Sequence, residues 1–456
     1  MALKGTDIVK KLPEGGKKNC RECGFPTCFA FAMKLASGGV ALEKCTYISA
    51  EVKAELEEAL APPIKPVTIG SGKNALVIGG EEVVYRHEKT FVHQPGIALL
   101  ISDKETDAKI EEKLNKIKEL QFPWVGITLE ANVLALHFES GDKAKFEALV
   151  KKVCDSTDLP LVLMSEDVDV LLSAKNLCGD RKPLLYAVTK DNIDQIIAGI
   201  KSSPTPVVAK ANSVEELIPL TTKLKEAGLE EIVLDAIAKN IQEAIRDQTL
   251  IRRAALKQNF RPLGYPTIGF PCFIGKDEIR QVLLAAMFVI KFPGVIVLSD
   301  FDKYSLLPLL VHRLNIYTDP RIPMSVEEKL YEVLEPNEES PVLVTSNWAL
   351  TYFIVSGEIE GSKVPSWLLV KDTEGLGVLT GWAAGKFSGD SIGPFVKKSG
   401  IEDRVKHKRL VIPGKVARIK GELEEALPGW EIIVGPREAS EIPAYLPGLV
   451  KKWQQN

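Results

Sequence analysis

Cys20, Cys23, Cys28 and Cys45 form the pattern C-x2-C-x4-C-x16-C, with Gly24 and Pro26 inside the x4 gap. Four thiolates on one short segment can hold a tetrahedral metal ion or an iron–sulfur cluster. Structural zinc sites usually pair two knuckles, whereas this segment has one knuckle, then single cysteines, and no nearby histidine. The donor set favours a 4Fe–4S cluster over zinc or unligated thiols. From Cys28 to Gly38 the run CFAFAMKLASG has helical spacing, which places Phe29, Ala32, Met33 and Ala36 on one apolar face. Phe25, Phe29 and Phe31 are expected to give the cluster an apolar shell. Gly38 and Gly39 should stop that helix. The chain then returns with Cys45 and enters a Glu-rich helix, Ser49 to Leu60, closed by Ala61, Pro62 and Pro63.

The elements that must position such a centre belong to a chain of 456 residues, long enough for two or three domains. A net charge of -3 gives no reason to expect nucleic acid or an acidic membrane surface as a partner. No apolar run has the length of a membrane span, and Met1 to Leu12 carries no apolar signal core, so a cytoplasmic location is expected. Cys154, Cys178 and Cys272 are scattered and read as buried free thiols, a reducing-compartment pattern.

After a linker or hairpin over residues 61–92, apolar strand candidates recur at Gly96–Asp103, Trp124–Glu130, Leu159–Glu166, Pro183–Lys190, Pro206–Lys210, Glu231–Ala236, Thr267–Pro271 and Gly294–Asp300. Charged helical segments lie between them, among them Glu105–Leu120, Gly141–Val153, Ser213–Glu226 and Ile237–Ala255. Fully apolar strands alternating with helices imply parallel pairing, and the expected fold over residues 93–318 is a (β/α)8 TIM barrel, with a doubly wound open sheet as the competing fold. Asp103, Glu130, Glu166, Lys210, Asp235 and Asp300 would end its strands, where barrel enzymes carry their chemistry. Asp and Glu there also cap the next helix. No lysine–carboxylate or histidine–carboxylate set demands catalysis, so the barrel reads as a scaffold or docking surface.

Tyr317 to Pro323 has the composition of an interdomain joint. A second α/β pattern follows over residues 325–456: a small parallel sheet with strands at Pro341–Thr345, Trp367–Lys371, Arg409–Ile412 and Glu431–Val434. Its helices are expected from Trp348 into Val355, at Leu376–Ala384, Val416–Ala426 and Ile442–Trp453. The loops leaving these strands read TSNW, DTEGLGVLTGWAAGK, PGK and GPRE. In an open α/β sheet ligands bind beyond the carboxyl ends of the strands, and small residues there let the backbone approach a large flat ligand. No loop matches a phosphate-binding or dinucleotide glycine pattern. The candidate contacts are Thr345, Ser346, Asn347, Thr373, Gly375, Thr380, Gly381, Gly385, Lys386, Gly414, Gly435 and Pro436, although turn and cap chemistry explains each of them singly.

The N-terminal NC-x2-CGFPTC followed by FAFAMKLASG, the βα units and the C-terminal VPSWLLVKDTEG-x5-GWAAGKF together resemble the large (gamma) subunit of the corrinoid iron–sulfur protein of acetyl-CoA synthase/decarbonylase complexes. The likeness runs over essentially the whole chain. It implies a small helical 4Fe–4S module (residues 1–60), the barrel, and a C-terminal doubly wound α/β domain binding cobalamin or a related corrinoid in the base-off state. It further implies a methyl carrier of the reductive acetyl-CoA (Wood–Ljungdahl) pathway. Co(I) would accept a methyl group from methyl-tetrahydropterin through a methyltransferase and pass it to the nickel centre of acetyl-CoA synthase. Implied partners are a small subunit in a heterodimer, that methyltransferase, acetyl-CoA synthase and a low-potential electron donor. The five histidines lie outside any D-x-H-x-x-G loop, which agrees with a cobalt lacking a protein ligand. Such a cobalt reaches Co(I) more easily, and the cluster would restore it after oxidation. The proline-rich joint at Ala61–Pro63 leads to the expectation of a mobile cluster module. The rival readings are a methyltransferase binding methyl-pterin in its own barrel, and an electron-transfer scaffold without cobalamin.

Overall fold

A strand whose two faces are both apolar must be covered on both sides, and this requirement organises most of the chain. The structure, a computed structural model, describes residues 4–37, 39–124, 127–319, 321 and 323–455. It divides into two units, Met1–Gln121 with Glu130–Tyr317 and Phe122–Leu129 with Thr318–Asn456.

The first unit contains a nearly closed barrel of eight parallel strands: Gly96–Ser102, Val133–His137, Leu161–Met164, Leu184–Val188, Val207–Lys210, Ile232–Asp235, Ile268–Gly269 and Val295–Leu298. The last strand pairs back onto the first, Val295 opposite Gly96, and a parallel bridge between Leu234 and Thr267 spans the remaining seam. Alternate residues such as Ala98, Leu100, Ala135, Val162, Val208, Val233 and Val297 fill the interior. Their neighbours Ile97, Leu99, Leu134 and Leu163 are equally buried, on the outer face that the helices cover. The hairpin Val67–Ile69 with Leu76–Ile78 contributes Val67, Ile69, Leu76 and Ile78 to the same core and so plugs the barrel.

Seven strand candidates lie on observed barrel strands, and Trp124–Glu130 does not. Phe122–Trp124 and Ile127–Leu129 make a short antiparallel hairpin within the second unit, with Val125 and Gly126 outside the described residues. The barrel strand is Val133–His137. The physical difference is plain: the hairpin is largely exposed, whereas Val133–Leu136 is wholly buried, as a barrel strand must be.

Glu130 therefore ends no barrel strand. Its carbonyl accepts a hydrogen bond from buried Arg313, and its carboxylate accepts one from Gln121. The helices are capped by Thr106, Asp142, Asp167, Ser213, Asn240 and Asp277, residues set further along the loops than the strand-end acids. Further helices of this unit are Val168–Leu177, Ile193–Ile200, Glu278–Ile290 and Lys303–Tyr317.

The N-terminal segment builds a small core of its own from Ile8, Leu12, Cys28, Phe31, Ala32, Leu35, Leu42 and Leu56. The helix Cys28–Ala36 buries Cys28, Phe31, Ala32 and Leu35, while Phe29 and Met33 are 52% and 47% exposed. The apolar face is thus one residue out from the expected one, and Phe29 is no part of an inner shell. Gly38, one of the two expected helix stops, lies outside the described residues.

The second unit is a five-stranded sheet in the order Lys329–Val333, Ser366–Lys371, Val342–Ser346, Arg409–Ile412, Glu431–Val434. Four strands are parallel. The edge strand Lys329–Val333 is antiparallel, so the sheet is mixed where a purely parallel one was expected. The helices Ala349–Ser362 and Ile442–Gln455 cover one face, and Gly389–Lys398 with Lys420–Ala426 cover the other. In the joint before this unit, Pro320 and Ile322 lie outside the described residues. Among the described residues no helix is long and apolar enough to cross a membrane.

Arg252 ties the segment before the barrel to the barrel wall. Its guanidinium lies against the rings of Phe91 and Phe292, donates to the Val83 carbonyl, and pairs with Glu81 at 3.0 Å. Both partners are buried. Glu81→Ala would strand the guanidinium without its counter-charge, and should cost roughly 3–5 kcal/mol of unit stability, read from the urea midpoint.

Candidate cofactor sites

The four cysteines are brought together by a polar clip. Glu22, inside the Cys20–Cys23 knuckle, accepts hydrogen bonds from Tyr47 Oη at 2.6 Å and Thr46 Oγ1 at 3.0 Å. That draws the segment carrying Cys45 against the knuckle. The Tyr47 hydroxyl holds the Glu22 carboxyl below the usual carboxylate range, and Lys18 lies over the Tyr47 ring. At the other end the side chain of Asn19 accepts from the Cys28 backbone N–H at 2.8 Å, which fixes the start of the cysteine-bearing helix.

Cys23, Cys28 and Cys45 share one core, and Cys20 is exposed. The Cys45 thiol is pushed up first by burial and further by the fields of Cys23, Cys28 and Cys20, so all four are within electrostatic reach. Thiolates gathered this way repel one another and call for cationic charge among them. Among the described residues no three His, Cys, Asp or Glu side chains stand ready to hold a single ion. Four thiols on one short segment fit an iron–sulfur group in kind.

At the carboxyl ends of the second unit's strands lies a cavity of about 380 Å³. Thr345, Thr380 and Pro436, three of the candidate residues, line it, together with Trp348, Thr351, Ile354, Leu379, Lys415 and Arg437 among others. Thr345 is 1% exposed and its Oγ1 has no partner, nor does that of neighbouring Ser346. A buried hydroxyl facing a cavity without a partner is a ready contact for a polar ligand. Gly414 keeps two loops in contact: a Cβ there would fall 2.6 Å from the Gly435 carbonyl oxygen, and its N–H donates to that of Pro436 at 2.8 Å.

The other candidate residues shape this rim without lining it. Asn347 Oδ1 accepts from the backbone N–H of Thr373 and of Gly375 at 3.0 and 3.1 Å, and lies 3.0 Å from the Thr373 hydroxyl. Its amide donates to Asp372 at 2.8 Å. One buried side chain thus folds the whole DTEG turn, in which Gly375 has φ +74°. Gly381 is buried, and a Cβ there would meet Thr373 at 3.1 Å; Gly385 follows the helix Val378–Ala383, and Lys386 pairs with Glu374. Gly435 N–H donates to Ile412 at 2.9 Å. Of the apolar wall, Trp348 and Leu379 lie in two of the loops picked out from the sequence without being among the candidate contacts, and Ile354 lies in a helix, where no local signal separates it from a core residue.

His407 is the only histidine of the second unit. It precedes the strand Arg409–Ile412, at the amino ends of the sheet, and its ring contacts the Ser340 carbonyl and Trp453. It stands at the edge opposite the cavity.

At the mouth of the barrel the strand-end residues are mostly engaged by other protein groups. Asp103 accepts from Glu139 N, Ser140 N and Ser140 Oγ, Glu166 pairs with Lys210, and Asp300 pairs with Lys116 and Lys109. Asp235 is pushed up by burial and accepts from Tyr186 Oη at 2.8 Å. The cavity beside them is about 170 Å³.

Two family profiles match the chain: "CO dehydrogenase/acetyl-CoA synthase delta subunit" over residues 66–446 and "Putative Fe-S cluster" over residues 16–47. The corrinoid/iron–sulfur protein large subunit of Moorella thermoacetica is 45% identical over 98% of both chains. The acetyl-CoA decarbonylase/synthase complex subunit gamma of Methanopyrus kandleri is 34% identical over 97% of both.

The knot at Asn347 is directly testable. Asn347→Ala leaves the Thr373 and Gly375 N–H groups without their acceptor, at about 1–3 kcal/mol each. Amide hydrogen exchange at both positions should accelerate at least tenfold, while exchange in the barrel strands stays unchanged.

Proposed function

The chain belongs to the family of corrinoid/iron–sulfur protein large subunits and acetyl-CoA decarbonylase/synthase gamma subunits, and from that membership we propose that it is the methyl-carrying component of an acetyl-CoA synthase system. When bound, a base-off corrinoid supplies the nucleophile that takes a methyl group from methyl-tetrahydropterin, by way of a methyltransferase, and yields it to acetyl-CoA synthase, while a 4Fe–4S cluster supplies the low-potential electrons that restore it. The residues of this chain hold and shield those groups.

Cys20, Cys23, Cys28 and Cys45 are the proposed cluster ligands. The Glu22 clip supports this assignment by drawing the fourth cysteine to the other three.

The observation that carries the corrinoid assignment is the cavity at the carboxyl edge of the second sheet, with the orphaned Thr345 hydroxyl in its wall. A cavity of about 380 Å³ has room for a nucleotide tail rather than a whole macrocycle, whose ring would have to lie outside it. Thr345, Thr380 and Lys415 are placed for the amide and tail oxygens, and Asn347, Thr373 and Gly375 keep the rim in shape. The position of His407 leaves the cavity side without an imidazole, in keeping with the base-off state. In the rival, in which the barrel binds a methyl-pterin, the cavity of about 170 Å³ at the strand ends has its buried carboxyl already engaged by Tyr186.

The module's separate core and the clamp at its exit support a hinged cluster unit in the cytoplasmic protein. Arg261 donates to the Ala61 and Pro62 carbonyls, so a pivot would lie before Ala61. A small-subunit partner has a surface to cover: on the helix Glu278–Ile290, Ile279 and Leu283 are 73% and 61% exposed, with Met287 and Ile290 on the same stripe.

Protein co-produced with its small subunit and corrinoid should contain iron, acid-labile sulfide and cobalt, with corrinoid visible bands. Thr380 is exposed at the cavity rim, so Thr380→Trp should fold normally, keep its iron and lose the cobalt. Full cobalt occupancy in that variant would displace the site. Leu283→Glu should abolish co-elution of the small subunit on gel filtration; an unchanged elution profile would move the partner elsewhere.

A further inference from the structure

The sulfurs of Cys154 and Cys178, which belong to neither cofactor site, lie 3.7 Å apart, in hydrogen-bonding contact. Cys154 sits in the last turn of the helix Lys143–Ser156, and Cys178 is the C-cap of the helix Val168–Leu177, the next helix around the barrel. The two differ in access: Cys154 is partly exposed, and Cys178 is 4% exposed. Arg181 binds the loop between them, donating to the Cys154 carbonyl at 3.1 Å and the Leu159 carbonyl at 2.7 Å.

We propose that Cys154 and Cys178 form a reactive dithiol, a modification site for low-molecular-weight disulfides in which the accessible Cys154 sulfur attacks and the buried Cys178 sulfur resolves. The environment is suited to those roles. The contact with Cys178 brings the Cys154 thiol down to about 7, against the effect of burial and with help from the Arg181 charge, while Asp155 opposes it. Cys178 is pushed upward by its partner and by burial. The thiolate is the nucleophile in exchange, so Cys154 is the group in the reactive form near neutrality.

The exchange balances in two steps. Cys154 thiolate attacks one sulfur of the small disulfide, forming a mixed disulfide and expelling one thiolate. Cys178 then gives up its proton and displaces the second small thiolate from Cys154, and that proton ends on the departing thiol. Two protein thiols are oxidised to one disulfide, and the small disulfide is reduced to two thiols. The sulfurs must close from 3.7 Å to a bond of about 2.05 Å. Cys178 stands at a helix end followed by the short turn Gly179–Arg181, so the movement falls outside the helix body. The inference is independent of the corrinoid reading.

The test uses the full chain with its cluster loaded, treated anaerobically with oxidised glutathione, digested without reduction and mapped by mass spectrometry. The expected product is one cross-linked peptide joining Cys154 to Cys178. It should form at least tenfold faster than any adduct on Cys272, whose thiol burial pushes up to about 12. Cys178→Ala should stop at a glutathionyl adduct on Cys154, and Cys154→Ala should leave Cys178 unmodified. Wild-type protein that yields no such peptide while Cys154 stays free would overturn the proposal. So would a Cys178 that reacts equally fast in Cys154→Ala.

Discussion

Parallel strand pairing constrains this chain more than any other single interaction. A parallel strand cannot be joined to its neighbour by a tight turn; it needs a crossover that returns over one face of the sheet. Both faces are then covered, every strand becomes a short apolar run, and all loops following strands gather at one edge. The barrel and the second sheet obey the same rule with different closure. In the second unit it places the loops after Val342–Ser346, Ser366–Lys371, Arg409–Ile412 and Glu431–Val434 at the cavity edge, and sends His407 to the other.

That rule also explains what the sequence made legible. Wholly apolar runs bounded by polar residues located seven of the eight barrel strands and the four parallel strands of the second sheet. The error at Trp124–Glu130 came from a local apolar stretch that belongs to a half-exposed hairpin, and no local signal separates a hairpin of three-residue strands from a poor barrel strand. The helix Gly389–Lys398 is absent from the helices expected of this unit, and Gly389, Gly393 and Pro394 are poor helix formers. Its glycines serve packing instead: a Cβ at Gly389 would lie 2.4 Å from Glu422, and one at Gly393 2.7 Å from Ala426. Tertiary contact overrides intrinsic propensity there.

The two candidate sites were legible to different degrees for a related reason. Cysteine spacing is chemistry written along the chain, so the cluster segment could be read without knowing its fold. The cavity is chemistry written across the chain. Its small residues stood out as loops, yet several of them turned out to hold other loops, as Asn347 holds Thr373 and Gly375. Its apolar wall comes from helix residues that no spacing distinguishes from core. A polar side chain in a loop is equally able to serve a ligand or the backbone, and only three-dimensional placement divides the two.

The way the cysteine-bearing segment is fastened has a mechanical consequence. Its last element is the helix Ala50–Leu60, and the chain is gripped just beyond it by Arg261. Eleven helical residues make a stiff rod roughly 16 Å long. Were the segment to pivot there, as proposed, an electron source mounted on such a rod would travel along an arc about one anchored point instead of wandering through a volume. Its meetings with an acceptor would then be set by the length of a crane arm and the position of its base.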